Sequence, residues 1–232
     1  YEEKIIPPKK AMPQAQDGTL RKFALRVPEV IYQCSGIIVF GKRIKSLVFS
    51  TDLSIIKNVN ADAIIAVYPF TPQPIITQAL LLAADIPVFA GVGGGLTKGQ
   101  RVVNLAMFAE MQGATGVVVN APTANTVVQH VAETIDIPVV VTVARADTDF
   151  DARLQAGANI FNVSAAAETP AIVRSIRERY PDVPIIATGG PTDESILETI
   201  QAGANAITWT PPTNGEIFRD IMAAYRDNKP HP

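Results

Sequence analysis

Two adjacent glycines follow a short apolar segment late in the chain, in the sequence Ala187-Thr188-Gly189-Gly190-Pro191-Thr192. Glycine has no side chain, so the backbone N–H groups of Gly189 and Gly190 can approach an anion closely. The residues that follow have the pattern of a helix start, and a helix N-terminus carries a partial positive charge. The motif therefore predicts a site for a phosphate or carboxylate group. A tight turn without a ligand is the alternative.

A second glycine-rich segment covers residues 91–99 and contains Gly93, Gly94 and Lys98. It is not a P-loop, because it lacks the Gly-Lys-Ser/Thr sequence. It is not a dinucleotide fingerprint either, because Leu96 stands at the last glycine position. The segment is either an anion-binding loop in which Lys98 supplies the charge, or a flexible loop whose lysine is solvated.

Charged side chains that could perform acid–base chemistry are scarce in this sequence. The candidates for catalysis are Asp52, Lys98 and Arg145. Asp52, or a water held by nearby hydroxyls, would be the base, and Lys98 or Arg145 would stabilise a developing negative charge. Each has a simpler interpretation as well, since Asp52 can cap a helix and Arg145 can pair with Asp147 or Asp149.

Small polar residues recur where the predicted strands end. Those that we expect to contact a ligand, together with the glycines above, are Asn120, Thr142, Asn162, Ser164, Thr188 and Thr210. The residues before them in each strand are apolar, so the polar residues gather at one end. As a set they predict a pocket for a polar ligand, although any one of them could instead hydrogen-bond to nearby backbone.

An internal repeat indicates which elements position these residues. Gln155-Ala-Gly-Ala-Asn159 recurs 46 residues later as Gln201-Ala-Gly-Ala-Asn205, and each copy precedes a short apolar segment. Three other apolar segments are opened by Asp-Ile-Pro or Asp-Val-Pro, beginning at Asp85, Asp136 and Asp182. Proline at the first residue of a strand loses no ladder hydrogen bond. Nearly wholly apolar strands are typical of a parallel sheet that is covered on both faces.

Helical patterns separate the apolar segments, and counting gives eight strand–helix units. The strands are predicted near residues 44–50, 62–68, 87–91, 116–120, 138–142, 159–164, 184–188 and 205–210. Eight regular units predict an α/β fold, a single closed (β/α)₈ TIM barrel, whose pocket lies at the C-terminal ends of the strands. An open doubly wound sheet of similar length is the alternative.

Residues 1–42 stand outside this pattern, and we predict that they form an N-terminal arm and barrel plug, with the barrel itself in residues 43–232. Within the extension, residues 27–34 have the pattern of a short helix with Pro28 in its first turn. Residues 37–40 form a short apolar segment that predicts a strand or a further piece of the plug.

The Thr188-Gly189-Gly190 motif, with the repeat pattern over about residues 86–226, resembles the phosphate-binding TIM barrels. That superfamily includes 2-keto-3-deoxy-6-phosphogluconate aldolase, N-acetylmannosamine-6-phosphate epimerase and thiamine-phosphate synthase. The resemblance implies a phosphorylated small-molecule ligand and lyase, aldolase or epimerase chemistry. One departure is that Thr210-Pro211-Pro212 stands where many relatives have a second phosphate turn. Since prolines supply no amide donors, this segment lacks N–H groups that such a turn would use to bind phosphate.

Two other functions stay open. One is hydrolysis of a phosphorylated or carbonyl compound in the same pocket, with water as the nucleophile. The other is a non-catalytic, metabolite-sensing regulatory barrel, which the scarcity of acid–base residues favours.

The composition limits the partners and cofactors. Twenty Lys and Arg against 22 Asp and Glu give a net charge of −2, which argues against nucleic-acid binding. One cysteine and two histidines leave little for a metal centre, and no cofactor is expected. No apolar run reaches the roughly 18 residues of a membrane span, so we expect no membrane partner and a cytoplasmic location. Only 18% of the residues are charged, which predicts an apolar interface and a homodimer or higher homo-oligomer. The expected ligand is a small, anionic metabolite.

Overall fold

Eight parallel strands close into a barrel in the computed structural model, which describes residues 11–16, 18, 20 and 24–232. Each barrel strand pairs with the next one along the chain, and the last pairs with the first. A two-stranded hairpin precedes the barrel and consists of β1 (Ile37–Val39) and β2 (Lys42–Ile44). The barrel strands are β3 (Ser46–Phe49), β4 (Ala63–Ala66), β5 (Val88–Gly93), β6 (Gly116–Val119), β7 (Val139–Val143), β8 (Ile160–Val163), β9 (Ile185–Thr188) and β10 (Ala206–Trp209).

One α-helix follows each barrel strand. The helices are α1 (Leu53–Lys57), α2 (Pro74–Ala83), α3 (Gln100–Met111), α4 (Asn125–Thr134), α5 (Phe150–Gln155), α6 (Thr169–Arg179), α7 (Asp193–Gln201) and α8 (Asn214–Arg226). This arrangement confirms the predicted (β/α)₈ barrel and all eight strand positions. The alternative prediction of an open, doubly wound sheet is wrong, because β10 pairs with β3 at Ile207 and Ser46. Among the described helices, none is long and apolar enough to cross a membrane.

The core has two layers because side chains alternate between the two faces of each strand. In β10, for example, Ala206 belongs to the cluster inside the barrel, and Ile207 belongs to the cluster between the strands and the helices. Inside the barrel, each strand contributes one buried residue to a layer near the strand starts or centres. That layer includes Leu47, Ile65, Phe89, Val118, Val140, Ile160, Ile186 and Ala206.

The repeated Gln-Ala-Gly-Ala-Asn sequence has a structural role at the N-terminal end of the barrel. The side-chain oxygen of Asn159, directly before β8, accepts a hydrogen bond from the first N–H of β7, that of Val139, at 2.8 Å. Asn205, directly before β10, does the same for the first N–H of β9, that of Ile185, at 2.9 Å. Asp62, before β4, accepts from the N–H groups at the start of β3. We call these three residues the strand-start clamps.

The N-terminal hairpin covers the same end of the barrel. Ile37, Val39 and Ile44 are buried in the cluster inside the barrel, whereas Ile38, which points the other way, is 62% exposed. Ahead of the hairpin, a 3₁₀-helix (Glu29–Gln33) packs against α7. The hairpin spans the boundary that we predicted between residues 42 and 43, and the division into arm and barrel stays a prediction. Residues 1–10 of the predicted arm lie outside the described residues.

Candidate functional site

A ring of eight side-chain positions forms the floor of the barrel mouth. Each ring residue lies two positions beyond a member of the inner apolar layer, so it faces the same interior but closer to the C-terminal ends of the strands. We call this set the mouth ring; its members are Phe49, Val67, Gly91, Asn120, Thr142, Asn162, Thr188 and Thr208. The part from β3 to β5 is apolar, and the part from β6 to β10 is polar but uncharged.

Two oxygens of the mouth ring are buried and have no hydrogen-bond partner. They are Asn162 Oδ1 and Thr208 Oγ1, in residues that are 8% and 6% exposed. The Asn162 amide reaches Thr142 Oγ1 through Nδ2, at a long 3.4 Å, and this leaves its oxygen without a donor. A buried, unpaired polar atom costs about 1–3 kcal/mol. Of the two residues, Thr208 also lines the larger of the two cavities described next.

Two cavities open at the mouth, one on each side of β10. The larger, of about 930 Å³, includes Ser164, Thr188, Gly189, Gly190 and Thr208 in its wall. It joins the predicted anion-binding glycines to one of the unpaired oxygens.

The smaller cavity, of about 600 Å³, is lined by the apolar half of the mouth and by Asp52 and Asn120. Phe49, Val67 and Tyr68 form much of its wall. Thr210 lines both cavities. Thr210 is thus the residue that the two cavities share.

The turn after β9 has the close backbone geometry that its glycines suggested. Gly190 has φ +80°, and a Cβ there would lie 2.6 Å from Ser195 Oγ. A Cβ on Gly189 would lie 2.7 Å from the Ile196 side chain. Both glycines are thus required by the packing of α7 against this turn, whether or not a ligand binds.

The N-terminus of α7 is already satisfied by its own residues. Thr192 caps the helix, with Thr192 Oγ1 accepting from Ser195 N and Thr192 N donating to Ser195 Oγ. Asp193 and Glu194 place two carboxylates in the first turn. The end of α7 is therefore capped and acidic, and the predicted anion site depends on Gly189 and Gly190 alone.

Asp52 is the carboxylate nearest to the smaller cavity, and it caps α1. Its Oδ1 accepts from Ser54 N at 2.8 Å and from Ile55 N at 3.3 Å, and its Oδ2 accepts from Asn214 Nδ2 at 2.6 Å. The hydrogen bond from the Ser54 side chain is the main cause that lowers the pKa of Asp52 from its usual value. The side chain is therefore ionised at neutral pH.

The two cationic candidates lie on loops rather than in the mouth ring. Arg145 forms a two-pronged ion pair with Asp147 at 2.9 and 2.7 Å, and both side chains are exposed. The Asp147 side chain raises the pKa of Arg145 and is the first cause of that shift. Lys98 is exposed on the β5–α3 loop. Neither lines the two large cavities as described.

The glycines of the β5–α3 loop are explained by packing. Gly94 has φ +104°, and a Cβ there would lie 1.8 Å from Thr123 Oγ1. Gly93 has φ +114°, and a Cβ would lie 2.9 Å from Thr97 Cβ. Gly93 also helps to line a small, 20 Å³ cavity beside Asn120. This loop therefore needs glycine to pass close to the β6–α4 loop.

The predicted site residues include Thr210 at the end of β10 but not Thr208. Thr210 lies one residue beyond β10 and is exposed, whereas Thr208 is buried in the ring. Counting alternate residues from Ala206 would have found Thr208, since the strand's interior face repeats every two residues. The polar residues at the strand ends did not indicate Phe49 and Val67, which are apolar members of the mouth ring.

Cys34 lies at the opposite end of the barrel. Burial raises the pKa of its thiol to about 12, only partly offset by the charge of Lys45. The thiolate that a nucleophile needs is therefore scarce at neutral pH.

The fold and the mouth ring define a closed (β/α)₈ barrel with ligand-sized cavities at the C-terminal ends of its strands. A solved structure of phosphonopyruvate hydrolase with oxalate and Mg²⁺ is similar, with a TM-score of 0.60, 14% identity, and coverage of 81% of this chain and 84% of that one. Phosphoenolpyruvate phosphomutase from Streptomyces platensis subsp. rosaceus has a TM-score of 0.59, 15% identity and 86% coverage of both chains. A dihydrodipicolinate synthase from Bacillus anthracis has a TM-score of 0.56, 15% identity, and coverage of 83% and 77%.

These identities are low, so the similarity shows the fold alone. No known family model matches the sequence, and no curated protein matches it. The similar structures named above support the closed (β/α)₈ barrel fold. The narrower resemblance to 2-keto-3-deoxy-6-phosphogluconate aldolase and N-acetylmannosamine-6-phosphate epimerase stays a prediction.

Within the described ranges, no group of three Asp, Glu, His or Cys residues comes together as a metal site. Asp52, the carboxylate beside the mouth, is engaged with the start of α1 and with Asn214.

Proposed function

We propose that this chain is an enzyme of lyase, aldolase or epimerase type that acts on a small, hydroxylated anion in the barrel mouth. The observation that carries this proposal is the pair of buried, unpaired oxygens, Asn162 Oδ1 and Thr208 Oγ1. An amide oxygen accepts only, so Asn162 Oδ1 needs a donor, and a substrate hydroxyl supplies one. Binding then gives a hydrogen-bond donor to an oxygen that has no partner in the unliganded barrel.

The anionic group of the substrate, a phosphate or a carboxylate, binds beside the glycine turn. Gly189 and Gly190 share the 930 Å³ cavity with Thr208, so the amides and the hydroxyl can hold one molecule. Lys98 and Arg145 line neither cavity, and they remain the proposed sources of positive charge from the β5–α3 and β7–α5 loops. The exposed pair of Arg145 with Asp147 is of a kind that contributes little to stability, so an anion can replace Asp147 as the partner.

Asp52 is the proposed base. It is the carboxylate that lines the 600 Å³ cavity, which shares Thr210 with the larger one. A substrate whose anion lies at the glycine turn and whose carbon chain crosses Thr210 brings a C–H or O–H group toward this carboxylate. Developing negative charge is then stabilised by the ring hydroxyls and the loop cations.

The similar solved structures favour a small acidic substrate. Their names include a phosphonopyruvate hydrolase, a phosphoenolpyruvate phosphomutase and a dihydrodipicolinate synthase. Hydrolysis with water as the nucleophile stays an alternative in the same pocket.

Ligand-induced thermal stabilisation tests the binding part of the proposal. The panel contains inorganic phosphate, oxalate, pyruvate, phosphonopyruvate and a set of sugar phosphates and hydroxy acids. We expect a hydroxylated anion to raise the melting temperature of the wild type. Compounds that do so are then followed by ¹H and ³¹P NMR to detect turnover.

A matched pair of variants separates the mouth from the rest of the molecule. Thr208→Val should abolish the ligand-induced shift, while Thr77→Val, a buried threonine on α2, should keep it. No stabilisation by any member of the panel, or an equal shift in Thr208→Val, would contradict the proposal.

A second candidate is a metabolite sensor without catalysis. The observation that favours it is that every polar member of the mouth ring is uncharged. Saturable binding with no product after prolonged incubation at high protein concentration would support the sensor and exclude the enzyme.

A further inference from the structure

The smaller mouth cavity has an apolar wall in which a large aromatic side chain is exposed. Phe49 lies on the interior face of β3, two residues beyond Leu47, which is completely buried. Phe49 itself is 40% exposed, and it lines the 600 Å³ cavity together with Val67, which follows the neighbouring strand β4. Cavities that bind small molecules are lined mainly by hydrophobic and aromatic side chains. The exposed ring of Phe49 is therefore a surface that a ligand can cover.

The loops around this cavity extend its apolar surface. Pro69 follows β4, Pro211 and Pro212 follow β10, and all three line the cavity. Ile55, from α1, also contributes to the wall. Proline has no N–H group, so these three residues offer a ligand their ring carbons and carbonyl oxygens but no backbone donor. Such a wall suits a hydrocarbon group better than a hydroxylated chain.

Several polar side chains of the same wall already hydrogen-bond within the protein. Ser50 Oγ accepts from Asp52 N at 3.1 Å, and the Tyr68 hydroxyl accepts from Gln73 N at 2.9 Å. Asp52 Oδ2 accepts from Asn214 Nδ2 at 2.6 Å. A sugar carries a hydroxyl on almost every carbon, and a hydroxyl that leaves water without finding a new partner weakens binding. The engaged side chains therefore favour a ligand group without hydroxyls.

The larger cavity has the opposite character. Ser164, Thr188 and Thr208 line it together with the glycine turn after β9. Thr210 lines both cavities, and Asn120 adds a polar residue to the smaller one. The mouth thus has one side that suits an anion with a hydroxyl group and another side that suits a hydrocarbon group.

We propose that the smaller cavity binds an alkyl or aryl group of the substrate, and that Phe49 and Val67 select this group. The substrate class is then a small hydroxylated anion with an apolar substituent, rather than a sugar phosphate. This inference rests on the proposed function, which assigns the anion and the hydroxyl to the larger cavity. An apolar group bound against Phe49 would also exclude water from the wall to which Asp52 belongs.

Calorimetric titration with four 2-hydroxy acids that differ only at C3 tests the proposal. Lactate, glycerate, 2-hydroxy-4-methylpentanoate and 3-phenyllactate carry hydrogen, hydroxyl, isopropyl and phenyl there, and both enantiomers of each are titrated. We expect the isopropyl and phenyl compounds to bind at least tenfold more tightly than lactate, because each buried CH₂ group strengthens binding roughly fourfold. Glycerate should bind no more tightly than lactate. Equal affinities for lactate and 3-phenyllactate would overturn the inference and leave the proposed function standing.

Two phenylalanines of similar exposure provide matched variants. Phe49→Ala should reduce the preference for 3-phenyllactate over lactate to less than threefold, with the affinity for lactate itself changed less than twofold. Phe108→Ala is the control, because Phe108 is 46% exposed on α3, and it should keep the full preference. Val67→Thr keeps the volume of the wall but adds a hydroxyl, and it should weaken binding of 3-phenyllactate at least threefold. An unchanged preference in both Phe49→Ala and Val67→Thr would overturn the assignment to this cavity.

A neutral aryl compound separates the two sides of the mouth. 2-Phenylethanol has no carboxylate, and we expect it to shift the methyl NMR signals of Val67 in the wild type but not in Phe49→Ala. If none of the acids binds while 2-phenylethanol does, the anion site of the proposed function is refuted and the apolar site is supported. If the acids bind but neither 3-phenyllactate nor 2-phenylethanol shifts the Val67 signals, the apolar site is refuted. If no compound binds, both proposals are overturned.

Discussion

At the scale of single residues, Asp52 combines a structural role as the cap of α1 with a proposed chemical role. It accepts backbone hydrogen bonds at the start of α1, and we propose that it also serves as the base of the site. The two roles make different demands on the side chain. Any hydrogen-bond acceptor can cap a helix, whereas only a carboxylate can take a proton at this position.

Substituting Asp52 separates these roles. Asp52→Asn should lose less than about 1 kcal/mol, because Asn keeps the capping oxygen but turns an NH₂ group toward Asn214 Nδ2, while Asp52→Ala should lose about 1–2 kcal/mol. Both should lower turnover at least 100-fold if the carboxylate is the base. Urea unfolding and turnover of the identified substrate are the measurements. Full activity in Asp52→Asn would leave Asp52 with the capping role only.

The cap also gives a defined pH dependence. Because the pKa of Asp52 is lowered in the folded state, its contribution is present above its unfolded pKa of about 3.8 and is lost as the pH falls through the folded-state value. The stability difference between wild type and Asp52→Ala should therefore shrink below about pH 4. A difference that stays constant down to pH 2 would contradict this account.

Thr208→Val tests the unpaired oxygen directly. Valine has the shape of threonine without the hydroxyl. In the absence of ligand, the free energy of unfolding of the variant should therefore be about 1 kcal/mol higher than that of the wild type. The same variant should bind ligand more weakly. The measurements are urea unfolding and ligand titration, and lower stability in Thr208→Val would mean that the hydroxyl is already satisfied.

Single residues were the hardest part to predict from the sequence. The recurrence of Thr and Asn at strand ends indicated a polar mouth, but it could not tell Thr208 from Thr210. That distinction depends on which residue begins the alternation in β10, and only strand pairing fixes it. The glycines of 91–99 suggested an anion site, whereas their contacts with Thr97 and Thr123 show a packing role that no spacing reveals.

At the scale of elements, the strand-start clamps explain why a five-residue sequence occurs twice. Asn159 and Asn205 each hold the first N–H of the preceding strand. Asn205 has further partners, since its side chain accepts from Arg177 at 2.6 Å and donates to Ser35 at 2.9 Å. The repeat thus holds neighbouring strands together at the N-terminal end of the barrel, and its role is structural rather than in ligand binding.

Alanine substitution measures the clamps. Asn159→Ala should lower the free energy of unfolding by about 1 kcal/mol, and Asn205→Ala by up to about 3 kcal/mol, because more groups lose their partner. The exposed glutamines at the other end of each repeat are controls, and Gln155→Ala and Gln201→Ala should change stability by less than about 0.5 kcal/mol. Chemical denaturation checks all four variants, and equal effects at Asn and Gln would refute the role of the clamps.

The positions of β5 to β10 were predictable because one of two local signals marks each strand start. Asp-Ile-Pro or Asp-Val-Pro precedes β5, β7 and β9, and Gly-Ala precedes β6, β8 and β10. The periodicity of α8 likewise predicted a helix. It could not show that α8 buries none of its residues completely, since the same apolar stripe also suits a fully buried face.

At the scale of the whole molecule, the hairpin β1–β2 closes the end of the barrel opposite the mouth. Its strands pair in register, with Ile37 facing Ile44, and both side chains enter the apolar interior. Closure of the barrel was predictable from eight regular units. The hairpin was not, because residues 37–44 are too short to show the alternation that marks a strand pair.

The hairpin should contribute to the stability of the entire barrel. Ile44→Ala should lower the free energy of unfolding by about 2–5 kcal/mol, as for other buried isoleucines. Ile38→Ala, on the exposed side of the same hairpin, should change it by less than about 0.5 kcal/mol. Guanidinium unfolding followed by both fluorescence and circular dichroism is the measurement. Two separate transitions would show that the hairpin and the barrel unfold independently.

The clamps and the hairpin lie at one end of the barrel, and the mouth ring lies at the other. The residues that hold the strands together are therefore different from those that meet a ligand. Substitutions in the mouth ring can accumulate over evolution without weakening the contacts of the strand-start clamps and the hairpin. A barrel built in this way can acquire new substrates by exchanging a few Thr, Asn and Phe side chains, while its repeats stay recognisable in the sequence.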